Sequence, residues 1–146
     1  MNWLGIAATG IEAAVAGRVL SSQKKERVAA EAIFGLPTPI EKPHDGMAFL
    51  ADLESALLAA KIAAYAQGFA VMAEASKEFG WSLPMPTIAK IWREGCIIRS
   101  QFLDEITSAF TKEPDVANLL ITPAFSQMVK ETDGALRRVV SARRWS

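Results

Sequence analysis

Few residues in this 146-residue sequence can do chemistry, and those few are scattered. The one histidine, His44, lies in a Pro/Gly-rich stretch beside Lys42 and Asp45. Imidazole is the side chain most often used as a general base. No Ser/His/Asp constellation can be assembled around it, and it reads as a solvated loop residue. The one cysteine, Cys96, stands in Gly-Cys-Ile-Ile. A helix start at that point would lower its pKa and make it a nucleophile. Its apolar neighbours instead suit a small buried hydrophobe. The acid pairs Asp104/Glu105 and Glu74/Glu78 read as solvated helix faces. No phosphate-cradling P-loop, no GxGxxG after a strand and no metal-ligand spacing is present. The sequence therefore offers no catalytic residue, no cofactor-binding residue and no metal ligand.

The arginines are more informative. Arg18 is set among Ala14, Val15, Ala16, Gly17, Val19 and Leu20. A guanidinium in an apolar helical stretch calls for an anion, either a protein carboxylate or a ligand phosphate. The residues alone leave both open. Arg93 and Arg99 bracket the Gly95-Cys96 break and can tie two short helices to nearby acids. Arg137, Arg138, Arg143 and Arg144 form a basic run near the C-terminus that suits a helix dipole and solvent.

The elements that position these residues read as helices. Hydrophobic residues make up 51% and charged residues 22%, which excludes disorder and fits a single helical domain over residues 1–146. Sixteen basic residues balance sixteen acidic ones, which argues against a nucleic-acid or membrane-surface partner. A lone cysteine excludes a disulfide framework within the chain. The longest strongly apolar run without a charge, residues 62–73, is too short for a bilayer, and the N-terminus has no basic segment of a signal peptide. A cytoplasmic location is the expectation.

Helices are expected over 11–34 with Thr9 at the N-cap, over 47–79, 86–94 and 96–111, as a short turn over 114–120, and from Thr122-Pro123 onward. The second would be ~50 Å long. Between Glu54 and Glu74 its only charge is Lys61, and apolar residues fall on every face. Such a helix expects burial on all sides. The other helices are too few and short to sheathe it. The fold class is therefore all-α, a helical bundle around one long central apolar helix, with surplus apolar surface to bury against a second copy or a further part of a larger protein.

Several strings are specific. SSQKKERVAAEAIFG, LLAAKIAAYAQGFAVMAEASKEFGW, IAKIWREGCIIRSQFLDEITSAF, EPDVANLLITPAF and ALRRVV occur in that order. Together they resemble the 6-phosphogluconate dehydrogenase family over residues 4–140, around its SYAQGF and IAKIWRGGCIIR blocks. The resemblance implies the all-helical C-terminal domain of a homodimeric enzyme. That family oxidises and decarboxylates 6-phosphogluconate to ribulose 5-phosphate with NADP. It also implies a role for Arg18, which aligns with the arginine that binds the substrate phosphate. Beside it, Ala16-Gly17 replaces the family's Phe-Ala. The family's catalytic lysine and glutamate, its KGTGKW motif and its nucleotide-binding domain lie upstream of the matching residues. Its C-terminal tail, which reaches the partner's active site, lies beyond them; SARRWS stands there instead. The resemblance thus implies a chain that is inactive by itself. A non-enzymatic helical self-association module is the alternative.

Overall fold

The computed structural model describes residues 4–36, 45–98 and 100–142. His44, Arg99, Arg143 and Arg144 lie outside them. The described residues form six α-helices and one 3-10 turn: α1 (Thr9–Ser22), α2 (Lys24–Phe34), α3 (Gly46–Phe79), α4 (Met85–Gly95), α5 (Leu103–Lys112), the 3-10 turn Leu119–Ile121, and α6 (Pro123–Ala142). The all-α bundle around one long helix is the architecture observed.

Helix α3 has strong signals at both ends. Asp45 accepts hydrogen bonds from the amides of Met47 and Ala48, each 3.0 Å. These satisfy two of the amides that a helix start leaves without partners. At the other end Gly80 takes a left-handed conformation (φ 65°), and the Trp81 amide donates to the Ser76 carbonyl at 3.0 Å. A residue without Cβ is favoured there. The Ser76 hydroxyl then accepts from the Leu83 amide at 2.9 Å, which turns the chain into α4.

The core gathers on one face of α3. Ile62, Ala66 and Phe69 meet Met85 and Ala89 of α4, Leu103, Ile106 and Phe110 of α5, Leu119, and Phe125 of α6. Phe69 is in contact with Trp92 and Phe110, with ring centroids 5.3 and 5.2 Å away. Helix α6 runs along α3, where Ala56, Ala59 and Ala135 are buried. These small side chains leave room for close approach. At the far end Arg138 grips Asp52 with two hydrogen bonds of 2.7 and 2.6 Å.

Toward its N-terminal half, the other face of α3 is uncovered by the described residues. Met47, Leu50 and Leu57 are exposed, Leu57 by 67%. The all-round burial expected for this helix is therefore met on one side only. An 18-residue window of α3 has mean hydropathy 1.5, enough by length and composition to cross a bilayer. The estimate from residues 62–73 missed this because a single internal lysine does not lower the average of a longer window. The packed face marks α3 as a core helix.

Other expectations change. The first helix is two: the hydroxyls of Ser21 and Ser22 bond back to the carbonyls of Arg18 and Val19, and the helix breaks at Gln23. Such local bonds compete with helix continuation. Thr9 lies inside α1, with Ala8 at the cap position. The helix expected from residue 96 starts at Leu103, where Asp104 and Glu105 occupy the first turn and complement its dipole. Residues 114–120 supply only the 3-10 turn at Leu119, capped by Asn118 through the Leu120 amide at 2.9 Å. The Thr122 hydroxyl points back to the Leu119 carbonyl at 2.7 Å rather than capping α6.

Two outcomes test this packing. Phe69→Ala should destabilise the fold by about 3–5 kcal/mol in urea denaturation, and Leu57→Ala on the bare face by at most about 0.5 kcal/mol. The hydrogen bonds from Arg138 hold the Asp52 carboxyl below the usual carboxylate range. A carboxyl lowered on folding stabilises the protein above its unfolded pKa of about 4, and that contribution is lost as pH falls through the folded value. The stability gap between wild type and Arg138→Gln should therefore be full at pH 7 and shrink below about pH 4.

Candidate functional site

Arg18 lies on α1, exposed, four residues from its end. Its Nη1 donates to the Ser21 Oγ at 2.9 Å, and that hydroxyl donates to the Arg18 carbonyl at 2.9 Å. Arg18 forms no ion pair among the described residues. Of the two anions that the sequence left open, the protein carboxylate is not supplied by them. From the first turn of α2, Arg27 donates through Nη2 to the Ser21 carbonyl at 3.1 Å. Two guanidinium groups thus converge on one serine at the break, and neither has a carboxylate partner among the described residues. The sequence drew attention to Arg18 but not to Ser21 or Arg27. The signal was the Ser21-Ser22 pair, whose back-bonding creates the break.

The site hangs on the bundle through Gln67. The Gly10 amide donates to its Oε1 at 3.0 Å, and its Nε2 donates to the Thr9 hydroxyl at 3.3 Å. A Cβ on Gly10 would come within 2.9 Å of that oxygen, so the glycine permits the approach. The neighbours of Gln67 serve the core. Ala66 and Phe69 are buried, and Tyr65 meets Phe102 edge-on at 4.9 Å. The Tyr65 hydroxyl is buried without a hydrogen-bond partner among the described residues, and burial pushes its pKa up.

The remaining candidates fall away from this site. Cys96 caps the end of α4 rather than starting a helix. It is half-buried, with Sγ 3.3 Å from the Trp92 carbonyl. Arg93 pairs with Asp104 at 3.2 Å and so ties α4 to α5. Glu74 pairs with Lys77. Arg137 bonds Asp133 at 2.7 Å, and Arg138 reaches α3 instead of serving the helix dipole, because α6 runs on to Ala142. No group of three His, Cys, Asp or Glu side chains able to hold a metal lies among the described residues. An open groove lined by Leu57, Leu58, Phe102 and Met128 contains neither arginine of the α1–α2 break.

The chain matches the family model described as 6-phosphogluconate dehydrogenase, C-terminal domain, over residues 2–144. It is 45% identical over 139 residues to 6-phosphogluconate dehydrogenase, decarboxylating 2, of Saccharomyces cerevisiae, covering 94% of this chain and 28% of that protein. It is 44% identical over 137 residues to the Rattus norvegicus decarboxylating enzyme, again covering 94% and 28%. Among solved structures it superposes on the Plasmodium falciparum 6-phosphogluconate dehydrogenase with TM-score 0.83 and 34% identity, over 93% of this chain and 29% of that one. That enzyme is described in apo form, with its cofactor NADP+ and with its substrate 6-phosphogluconate. The chain spans under a third of the length of these relatives.

A local prediction concerns Gly17, one residue before Arg18. It lies inside α1, and a Cβ there meets nothing within 4 Å. Gly17→Ala should stabilise α1 by about 0.5–1 kcal/mol, seen as roughly two- to fivefold slower amide exchange across that helix.

Proposed function

We propose, on the premise that the chain belongs to the 6-phosphogluconate dehydrogenase family through its C-terminal helical domain, that it forms the substrate-holding and dimer-forming helical part of a decarboxylating enzyme. That enzyme converts 6-phosphogluconate to ribulose 5-phosphate in the pentose phosphate pathway, in the cytosol, with NADP as oxidant. Arg18 holds the substrate phosphate. The observation that carries this reading is its exposed guanidinium, without a carboxylate partner among the described residues; the sequence resemblance gives Arg18 the place of the family's phosphate-binding arginine.

The chemistry assigns this chain binding rather than bond-making. Arg18 uses one N–H of Nη1 on Ser21. Its Nε and Nη2 remain for a two-pronged contact with phosphate oxygens, the geometry in which guanidinium binds such anions best. The cofactor does not fit the residues described here. They include no strand and no glycine-rich strand-to-helix turn to cradle a dinucleotide. Hydride transfer needs cofactor, base and substrate held together. The 146 residues by themselves are therefore expected to bind but not to turn over.

Association with a second copy is supported by the apolar residues left in water. Leu50 and Leu57 on α3, Val15 and Val19 on α1, and Ile33 and Phe34 on α2 are all exposed. Large exposed apolar patches mark interaction surfaces.

Calorimetry with 6-phosphogluconate should show binding that Arg18→Ala weakens by roughly 1.5–3 kcal/mol. Absorbance at the NADPH band should stay flat when the chain is mixed with NADP and substrate. Equal binding by both proteins removes Arg18 from the site. Steady NADPH formation that Arg18→Ala abolishes would overturn the binding-only role. Sedimentation should give a species heavier than one chain.

A further inference from the structure

We infer that Arg27 is a positioning residue for Arg18, acting through Ser21; the inference rests on the reading of Arg18 as the phosphate ligand. Arg27 Nη2 donates to the Ser21 carbonyl at 3.1 Å. That carbonyl lies in the last turn of α1, where carbonyls lack intrahelical partners and the helix dipole is negative. A cation arriving from α2 therefore serves as a cap and fixes the residue it caps. The Ser21 hydroxyl is the hub. It donates to the Arg18 carbonyl and accepts from Arg18 Nη1, both at 2.9 Å. Clamping the Ser21 backbone thus clamps the hydroxyl that holds the Arg18 side chain.

The need for a clamp follows from the surroundings. No residue of α1 or α2 is buried, so packing does not restrain Arg18. A free arginine samples many rotamers and loses them on binding an anion. Holding one end of the guanidinium beforehand lowers that loss and leaves Nε and Nη2 for the ligand. Arg27 forms no ion pair among the described residues, so no acid there competes for it.

The test follows Arg18 directly. Side-chain 15N relaxation at Arg18 Nε is measured in wild type, Ser21→Ala, Arg27→Ala and Arg27→Lys, while backbone amide exchange over residues 24–34 reports the integrity of α2. Arg18 should lose order in Ser21→Ala and in Arg27→Ala, with α2 intact. Arg27→Lys, which keeps the charge but not the forked donor, should fall between. Unchanged order in Arg27→Ala overturns the inference, as does a loss that appears only when α2 melts.

Titration with inorganic phosphate gives the second readout. Arg27→Ala should bind about three- to tenfold more weakly. The double variant Ser21→Ala/Arg27→Ala should be no weaker than Ser21→Ala. Additive losses would put Arg27 on the anion itself and overturn the positioning role. If Arg18→Ala leaves phosphate binding untouched, the phosphate reading of Arg18 fails, and the relaxation data still decide whether Arg27 orders it.

Discussion

The packing of Ile62, Ala66 and Phe69 of α3 into the space between α4, α5 and α6 is the constraint on which everything else depends. These residues fall at steps of four and three and so share one face of the helix. Aromatic rings close the site from three sides: Trp92 and Phe110 against Phe69, and Phe102 against Tyr65. Helix α6 can lie against the same helix because Ala56 and Ala59 extend the packed side toward Asp52, where Arg138 fixes the far end. Remove this stripe and α3 has little reason to stay within the protein, because its other side also carries apolar residues such as Leu50 and Leu57.

That symmetry of composition explains the asymmetry of the structure. A 34-residue helix presents more apolar surface than three shorter helices and one turn can cover. The bundle settles on one side and leaves Met47, Leu50 and Leu57 in water. Helices α1 and α2 carry the same condition further, since none of their residues is buried. Their hold on the bundle includes the two hydrogen bonds of Gln67 to Thr9 and Gly10. Segments with few buried contacts open at low free energy. The candidate phosphate arginine thus sits on a weakly anchored part of the described chain.

How much of this was legible depended on the range of the interaction that decides each feature. The long helix, its end at Phe79 and the Pro123 start are written in local chemistry and stand as read. The break at Gln23 is local too, but Ser21 and Ser22 allow helix or turn, and their hydroxyls decide it only once the carbonyls of Arg18 and Val19 are in place. The late start of α5 turns on which residues enter the core: Phe102, Leu103 and Ile106 are buried, while Ile97 is fully exposed. Apolar character alone does not separate Ile97 from Ile106. At the site, Arg18 was conspicuous because a lone charge among apolar residues needs an explanation. Arg27 was not, because it sits within a charged run that also contains Lys24, Lys25 and Glu26, where solvent explains it equally well.

The bare apolar surface and the uncompensated arginine belong to one physical problem. Arg18 shares α1 with Val15, Val19 and Leu20, all exposed. In water neither the hydrocarbon nor the guanidinium carries a large penalty at that place. A surface that covers those three side chains gains by burying them, at roughly 25 cal/mol per Å². A cover that also reached Arg18 would take the guanidinium out of water, and an isolated buried cation costs far more than one valine returns. Such a cover therefore has to bring an anion to Arg18 or leave the guanidinium at its wet edge. Arg18 thus sets a condition on whatever covers α1: hydrocarbon alone does not suit it.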